Sequence, residues 1–450
     1  MNMENSGFIR FSKNNRINLS EVLSISMIRT SFILVVFLTG IAVAYLSTYL
    51  PAVWLSVFTS PGKPELGSTL SAHDTSVIVR VSQRLVPPNP GVSREAVTSM
   101  NLALDMEAQG KREKALKLYL HAINLDPLHV DILTAYGEFL EKIEHDITLA
   151  DSMYNRALHI CPEHSKALVA KQRIQPLVEE IDLKNFNRID KKLKHFMKVP
   201  HNHPGLRRAK KESYFQHIYH SNAIEGNTLT LMQTRSIIET RIAVGGKSLL
   251  EQNEVLGLDA ALSFVNSTLL GKIGNISLLD ILEIHKRVLG YVDLTEAGRL
   301  RQTQVFVGDF TPPAAQDIPS LMDGFIEWMN SEEALQLHPI EYAALAHYKL
   351  VYIHPFYDGN GRTSRLLMNL ILMQAGYPPV IVRVEDRQTY YDTLQLVNMG
   401  DVHPFIRFIA ECTERTLDYF LVATSDVHSG LTIQKINTTK NVIVGGIGEE

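Results

Sequence analysis

The sequence predicts a mainly α-helical protein with a membrane anchor near its N-terminus. From Ser93 onward, apolar residues recur mostly at helical spacing, and β-branched alternation is scarce. A short pattern of small and aromatic residues repeats after 35 residues, and a long charge-free run precedes it. The segment 305–313, VFVGDFTPP, is the one stretch that predicts an extended hairpin.

The composition excludes several classes of protein. A chain of 450 residues is long enough for two or three domains. Its 48 acidic and 44 basic residues leave a net charge of −4, so electrostatic binding of nucleic acid is excluded as the main activity. The two cysteines, Cys161 and Cys412, exclude a disulfide-rich scaffold and a zinc site made of cysteines alone.

Residues 32–55 are predicted to form a transmembrane helix. They lie in a run without charge between Arg29 and Lys63, and about 20 apolar residues suffice to cross a bilayer. Basic residues are concentrated before this run, so residues 1–31 should be cytosolic and the rest translocated. The expected topology is therefore single-pass type II, with the bulk of the chain in a secretory compartment.

A cleaved signal peptide is the alternative, with Ala42 and Ala44 as its small residues. The apolar run extends well beyond Ala44, whereas the apolar core of a signal peptide usually has about 7–15 residues. The pattern therefore favours the anchor.

Two helical repeats should follow a stalk. Residues 56–92 are rich in Pro, Gly, Ser and Thr, which is typical of a linker. After it, four residues recur with the same offset of 35: Ala115, Tyr119, Ala122 and Pro127 return as Ala150, Tyr154, Ala157 and Pro162. This pattern resembles tetratricopeptide repeats, whose period is about 34 residues, and it gives units at 96–129 and 130–163. Two units are too few to stand alone, so adjoining helices must cap them.

The remaining chain divides into three segments. Residues 170–200 are highly charged with helical periodicity and predict a linker helix, residues 204–424 a second helical domain, and residues 425–450 a mobile tail. Three sequons in the translocated part are predicted glycosylation sites wherever they are exposed, at Asn266, Asn275 and Asn437.

The window from His354 to Arg362, HPFYDGNGR, carries the chemistry. A glycine-rich loop opens there into a helix, whose N-terminal N–H groups and dipole attract an anion. Arg362 and Arg365 share one helix face and suit phosphate oxygens, while Asp358 suits Mg²⁺ on a nucleotide. His354 can accept a proton. A metal pair of His347 and His354 is a further alternative, but no third ligand lies near them in the sequence.

The window resembles the motif of Fic domains, His-x-Phe-x-(Asp/Glu)-Gly-Asn-(Gly/Lys)-Arg, at every defined position. Fic proteins mostly transfer AMP from ATP to a protein hydroxyl. The resemblance implies that His354 deprotonates the hydroxyl, that Asp358 holds Mg²⁺ (or Mn²⁺), and that Arg362 binds phosphate. It further implies a nucleotide site with four parts. The anion hole is formed by Gly359, Asn360 and Gly361, and the helix turn after it by Thr363, Ser364 and Arg365. The flap is formed by Val307, Gly308, Asp309 and Phe310, and the adenosine side by Tyr390 and Asn398.

A second motif lies upstream at residues 221–227. Its sequence, SNAIEGN, resembles the inhibitory helix motif (Ser/Thr)-x-x-x-Glu-(Gly/Asn) of Fic proteins. The resemblance implies that Glu225 pairs with Arg365 and competes with the γ-phosphate of ATP for this guanidinium. The alternative is that Glu225 only caps a helix before Gly226.

The combination of anchor, two repeats, linker helix, inhibitory Glu and Fic core resembles the metazoan endoplasmic reticulum branch of the family. This resemblance implies a lumenal Hsp70-type chaperone as the target, removal of AMP as well as its transfer, and a homodimer contact at Leu249. Two alternatives stay open: transfer of another group, such as UMP or phosphocholine, and a catalytically inactive scaffold.

Overall fold

The computed structural model describes residues 89–308 and 310–425. The predicted anchor, nearly all of the stalk, Asp309, the C-terminal tail and Asn437 lie outside these ranges. Within them the prediction of a mainly α-helical fold is confirmed, since helices account for most of the secondary structure. None of the helices in the two ranges combines the length and the apolar character that crossing a membrane requires.

Two helix pairs lie where the sequence predicts the repeats. Their helices are α1 Pro90–Ala108, α2 Arg112–Leu125, α3 Val130–Phe139 and α4 Ile147–Ile160. The small residues of the repeat pattern are fully buried, because they lie where the helices approach each other. Tyr119 and Tyr154 are fully buried at equivalent positions, and their hydroxyls donate to Glu107 and Glu141 at 2.9 and 2.8 Å. The residues that repeat in the sequence therefore have the same packing and the same hydrogen bonds in both helix pairs.

A long helix follows the repeats and belongs to two cores. Helix α5, Ser165–Phe196, has 32 residues and begins before the predicted residue 170. Its first half packs Ala167, Ile174 and Val178 into the core of the repeats, while Ile189 lies in the core of the C-terminal domain. The helix therefore caps the repeats, as a two-unit array requires.

The C-terminal domain contains ten further α-helices among the described residues. They are α6 Pro204–Ile224, α7 Leu231–Thr240, α8 Leu249–Phe264, α9 Leu278–Leu289, α10 Ile318–Met329, α11 Glu332–Gln336, α12 Pro339–Ile353, α13 Asn360–Gln374, α14 Arg387–Asn398 and α15 His403–Thr424. Helices α12 and α13 are the central pair, and most of their residues are buried. The loop between them is the motif window, so the motif rests on the most densely buried part of the domain.

Polar contacts join the second repeat to the C-terminal domain. Asn155 on α4 donates to Asp401 at 3.1 Å, in the turn between α14 and α15. Asp401 is almost completely buried and also accepts from the ring of His403 at 3.2 Å. Further along α5, Asp182 forms a two-pronged ion pair with Arg407 at 2.7 Å for each bond. The repeats are thus tied to α15 by directional bonds.

Helices α8 and α9 approach each other closely at Gly257. A Cβ there would overlap the carbonyl oxygen of Val288, which is a main-chain atom that cannot move aside. We expect Gly257→Ala to lower the free energy of unfolding by about 1–3 kcal/mol, as overpacking usually does. Gly324→Ala in α10 is the matched control, because nothing lies within 4 Å of its added Cβ.

The control should raise stability by about 0.5–1 kcal/mol, because alanine has the higher helix propensity. Thermal unfolding of the two variants and of the parent measures both effects. Equal unfolding midpoints for Gly257→Ala and the parent would contradict the close packing.

Candidate active site

The loop between α12 and α13 is held by residues inside and outside it. Asn360 fastens it from within, since its side chain accepts from the Phe356 N–H at 3.0 Å and donates to the Phe356 carbonyl at 2.9 Å. His285 on α9 supports the loop from outside. The His285 ring stacks on Phe356 with centroids 3.6 Å apart, and its Nε2 donates to the Asp358 carbonyl at 2.9 Å. The loop is therefore fixed before any ligand binds.

His354 is the first residue of this loop, and its imidazole ring is in the form that can accept a proton. Its Nδ1 lies 3.1 Å from the Val351 carbonyl, which can only accept, so Nδ1 carries the hydrogen and Nε2 keeps a lone pair. Burial lowers the pKa of His354 below its usual 6.5, and the charge of Arg301 lowers it further. The bond to the Val351 carbonyl and the charges of Glu225 and Asp358 act on the same pKa in the opposite direction without reversing the shift. The ring is therefore neutral at pH 7.

An anion site lies at the start of α13. Thr363 donates the first hydrogen bond of this helix, to the Gly359 carbonyl at 2.9 Å, so the three preceding N–H groups have no partner within the helix. Arg362 lies beside them and is only 2% exposed. Within the described chain its Nε donates no hydrogen bond, and its Nη1 has only a 3.4 Å ion pair with Glu254. A buried donor without a hydrogen bond is costly, and phosphate oxygens would satisfy it.

The two residues after Arg362 are Thr363 and Ser364, and both side chains are completely buried. Their contact with a nucleotide stays a prediction.

Asp358 is the residue that fits a metal ion. Its side chain is 62% exposed, and its Oδ2 accepts from Arg362 Nη2 at 3.0 Å. No group of three or more His, Cys, Asp or Glu that could hold a metal occurs in the ranges the structure describes. One carboxylate with nucleotide phosphates and water fits Mg²⁺, which usually keeps several waters. His347 is completely buried and bonded to Tyr390, so the structure does not support the His347–His354 metal pair.

The inhibitory motif meets the site at the end of α6. Helix α6 ends at Ile224, and Glu225 Oε1 lies 2.6 Å from Arg365 Nη2. Arg365 also donates to the Ser221 hydroxyl at 2.9 Å and to the Ser221 carbonyl at 2.8 Å. A carboxylate at a helix C-terminus is disfavoured by the helix dipole, so capping alone does not explain Glu225. The structure thus brings together the two residues that the motif comparison paired.

Gly361 shows how deeply the Glu225 carboxylate enters the anion site. A Cβ at Gly361 would overlap Glu225 Oε1 and lie 3.0 Å from Arg365 Nη1. The carboxylate therefore rests directly against the first turn of α13, where an anionic ligand would be bound. Glu225 and a phosphate group would compete for the same space and for the same guanidinium.

The structure gives Tyr390 a buried position. Its ring is 1% exposed, and its hydroxyl lies 3.3 Å from Arg365 Nη1 and 3.0 Å from His347 Nε2. Tyr390 therefore supports Arg365, and its contact with adenosine stays a prediction. Asn398 on the same helix accepts from the Tyr348 hydroxyl at 3.0 Å.

The predicted flap is a single antiparallel residue pair. Val307 and Phe310 exchange both main-chain hydrogen bonds, at 2.9 and 3.0 Å, and Gly308 has the positive φ of +56° that the turn needs. The Phe310 ring packs against Tyr352, whereas Phe306 is 73% exposed. Asp309 lies outside the described residues.

Three other predicted sites are on the surface. Leu249, the first residue of α8, is 70% exposed. Asn275 is exposed and Asn266 is half-buried, so the exposure that glycosylation needs is met at Asn275.

Sequence reasoning missed three side chains of the site. His285 and Arg301 hold the loop through main-chain carbonyls, and Glu254 lies 3.4 Å from Arg362 Nη1. None belongs to a motif that the sequence analysis found, and hydrogen bonds to carbonyl groups leave no pattern of residue types.

The sequence and the structure of this chain are similar to those of known Fic proteins. The model of the Fic/DOC family matches residues 275–372, which include the loop and most of α13. The protein adenylyltransferase Fic of Culex quinquefasciatus is 55% identical over 74% of this chain and 67% of its own length. That of Nematostella vectensis is 49% identical over 86% and 90%. The structure of Fic-1 (residues 134–508) from C. elegans is 42% identical with a TM-score of 0.65, covering 74% of this chain and 99% of the other.

Fold and site thus define a Fic domain with a glutamate that pairs with an arginine of the helix after the motif loop. The chain belongs to the metazoan protein adenylyltransferase Fic family. It is accordingly a nucleotidyltransferase, and its activity requires ATP as co-substrate.

The lowered pKa of His354 predicts where activity is lost in acid. A proton acceptor works only when unprotonated, and its pKa lies below 6.5 because of burial and Arg301. The acidic decrease in the rate of AMP transfer should therefore have its midpoint below pH 6.5. Initial rates at saturating ATP measure this profile, and a midpoint above about pH 7 would contradict the assignment.

Proposed function

We propose that this protein transfers AMP from ATP to Ser or Thr hydroxyls of a lumenal Hsp70-type chaperone and also removes it. The main support is the position of the Glu225 carboxylate in the anion site, 2.6 Å from Arg365. A transferase without regulation has no use for a carboxylate in the phosphate position. The chaperone as target rests on the resemblance of the whole domain arrangement to the endoplasmic reticulum branch.

Transfer requires a base, an anion site and an aligned α-phosphate. The free Nε2 of His354 takes the proton of the target hydroxyl, whose oxygen attacks the α-phosphorus. The bond from this phosphorus to the bridging oxygen breaks, and pyrophosphate leaves. The N–H groups of α13 and Arg362 stabilise the negative charge of the phosphates. Mg²⁺ (or Mn²⁺) bound at Asp358 supplies further charge neutralisation.

Removal of AMP uses the same residues in the opposite direction. Water attacks the phosphorus of the modified side chain, with Glu225 positioning that water. The bond to the side-chain oxygen breaks, and His354 in its protonated form gives a proton to this leaving oxygen. The attacking water loses one proton to solvent, from which His354 is protonated again. One site serves both reactions because each is an attack on the same phosphorus.

Two alternatives are less well supported. Transfer of UMP or phosphocholine would need a differently seated donor, which the loop geometry alone does not exclude. An inactive scaffold would not need His354, Asp358, Arg362 and Arg365 all in place, and the structure brings these four side chains together around one loop.

A mass measurement tests the proposed transfer. The purified chaperone is incubated with ATP, Mg²⁺ and either the parent protein or its Glu225→Gly variant, and intact masses are compared. Addition of His354→Ala to Glu225→Gly is the control, and it should lower transfer by at least about 10²–10⁴-fold while nucleotide binding survives. Full activity of this double variant would contradict the role of His354.

Glu225→Gly alone should raise transfer and reduce removal together. Loss of the carboxylate releases Arg365 for the γ-phosphate, and a charge-assisted bond contributes about 1.5–3 kcal/mol. Transfer should therefore rise by an order of magnitude or more, while hydrolysis of modified chaperone slows because its water is no longer positioned. Unchanged transfer would rule out the competition for Arg365, and undiminished removal would rule out the water-positioning role.

The remaining proposals concern location and partners. We propose a type II protein of the endoplasmic reticulum membrane, so protease added to sealed microsomes should spare residues 59–450. Digestion of the catalytic domain would refute this topology.

Leu249 is proposed as a homodimer contact, and Leu249→Asp should then yield a monomer in sedimentation. The repeats are proposed to select the chaperone, so deletion of residues 96–165 should weaken its modification and spare ATP binding.

A further inference from the structure

We propose that Arg301 is a positioning residue that joins the base of the flap to His354, so that both are placed as one unit. The inference rests on the proposed function, since it takes His354 as the proton acceptor and its test uses the chaperone as substrate. It concerns a side chain that lies outside the motif window and touches none of the reacting atoms.

Arg301 donates to three carbonyl oxygens on three segments of chain. Its Nε donates to the His354 carbonyl at 2.7 Å, its Nη1 to Thr303 at 2.9 Å, and its Nη2 to Pro313 at 2.6 Å. Its main-chain N–H donates to the Pro355 carbonyl at 2.9 Å. Thr303 and Pro313 lie on either side of the flap, so one planar guanidinium bridges both ends of the flap and the first residue of the loop.

The burial of Arg301 makes this arrangement unusual. Only 3% of the residue is exposed, and none of the ion pairs in the described part of the chain includes it. A buried charge normally requires a carboxylate, and here oriented carbonyl dipoles replace it. Burial lowers the pKa of Arg301, yet an arginine stays charged. A lysine could not reproduce the arrangement, since one ammonium does not have the planar fork that reaches three separate carbonyls.

His354 needs such support because of its backbone. It has a φ of +50°, which is unfavourable for any residue with a side chain and persists only where the surroundings enforce it. Two of its anchors come from its own helix: the Leu350 carbonyl accepts from its N–H and the Val351 carbonyl from its ring. The bond from Arg301 to its carbonyl comes from outside the helix, and the same guanidinium holds the flap.

Gln304 provides a comparison within the same chain. Its side chain donates to the Pro312 carbonyl at 2.9 Å and to the Val305 carbonyl at 3.1 Å, so it also closes the base of the flap. It makes no described bond to His354. Loss of Gln304 should disturb the flap alone, whereas loss of the Arg301 fork should disturb the flap and the base together.

The experiment compares Arg301→Lys with Gln304→Ala, both in the Glu225→Gly background, in which transfer is expected to be rapid. With the chaperone as substrate, Gln304→Ala should raise KM for the chaperone a few-fold and leave kcat unchanged. Arg301→Lys should raise KM similarly and lower kcat by about 10–100-fold. This is less than the roughly 10²–10⁴-fold that a general base contributes, because the base is misplaced but still present. The thermal midpoint and ATP affinity of both variants should match those of the background protein.

Each other outcome overturns the inference. Unchanged kcat in Arg301→Lys would show that His354 needs no external anchor. A loss of kcat accompanied by loss of ATP affinity or of the thermal midpoint would show a general structural role. An equal loss of kcat in Gln304→Ala would show that the flap alone governs the base. Addition of His354→Ala to the same background separates the two hypotheses: if that variant is active, the proposed function fails, and if it is inactive while Arg301→Lys keeps its kcat, only this inference fails.

Discussion

The contact between Glu225 and Arg365 determines how the site can be used. It joins the C-terminal end of α6 to the first turns of α13, through two residues that are 140 positions apart in the chain. Glu225 lies at the negative end of its own helix and against the positive end of another, so the fields of both helices push its carboxylate towards the anion site. An incoming phosphate must replace a partner that the fold itself supplies.

The surroundings of Arg365 make this replacement feasible. Arg365 is buried, and burial alone would lower its pKa, but the charge of Glu225 and the bonds around it raise the pKa instead. Ser221 and Tyr390 stay bonded to the guanidinium when the carboxylate leaves, and Tyr390 can in turn donate to His347, whose pKa burial lowers to about 3. Exchange of Glu225 for phosphate therefore changes one charged partner and leaves the arginine in place.

Much of the site was predictable, because its central residues lie within a twelve-residue window. The loop, the helix that starts beside it and the pairing of Glu225 with Arg365 follow from two motifs whose residue types are dictated by phosphate chemistry. The support of the loop was not predictable. Arg301 and His285 donate to carbonyl groups 53 and 73 residues away in the chain. Every residue has a main-chain carbonyl, so such bonds leave no pattern of residue types in the sequence. The buried position of Tyr390 depends on packing that one sequence does not reveal.

A rigid loop and a movable carboxylate suit a reaction that consists mainly of positioning. Transfer of a nucleotidyl group asks little covalent chemistry of the protein, so a base and an anion site that are correctly placed beforehand provide most of the rate. The loop has positive φ at both of its ends, at His354 and Gly359, and bonds from outside it and from Asn360 maintain that shape. Regulation by distortion of such a loop would have to break several bonds at once. The proposed regulation by Glu225 needs only one partly exposed side chain to leave, because that side chain lies at the end of a separate helix and not in the loop itself.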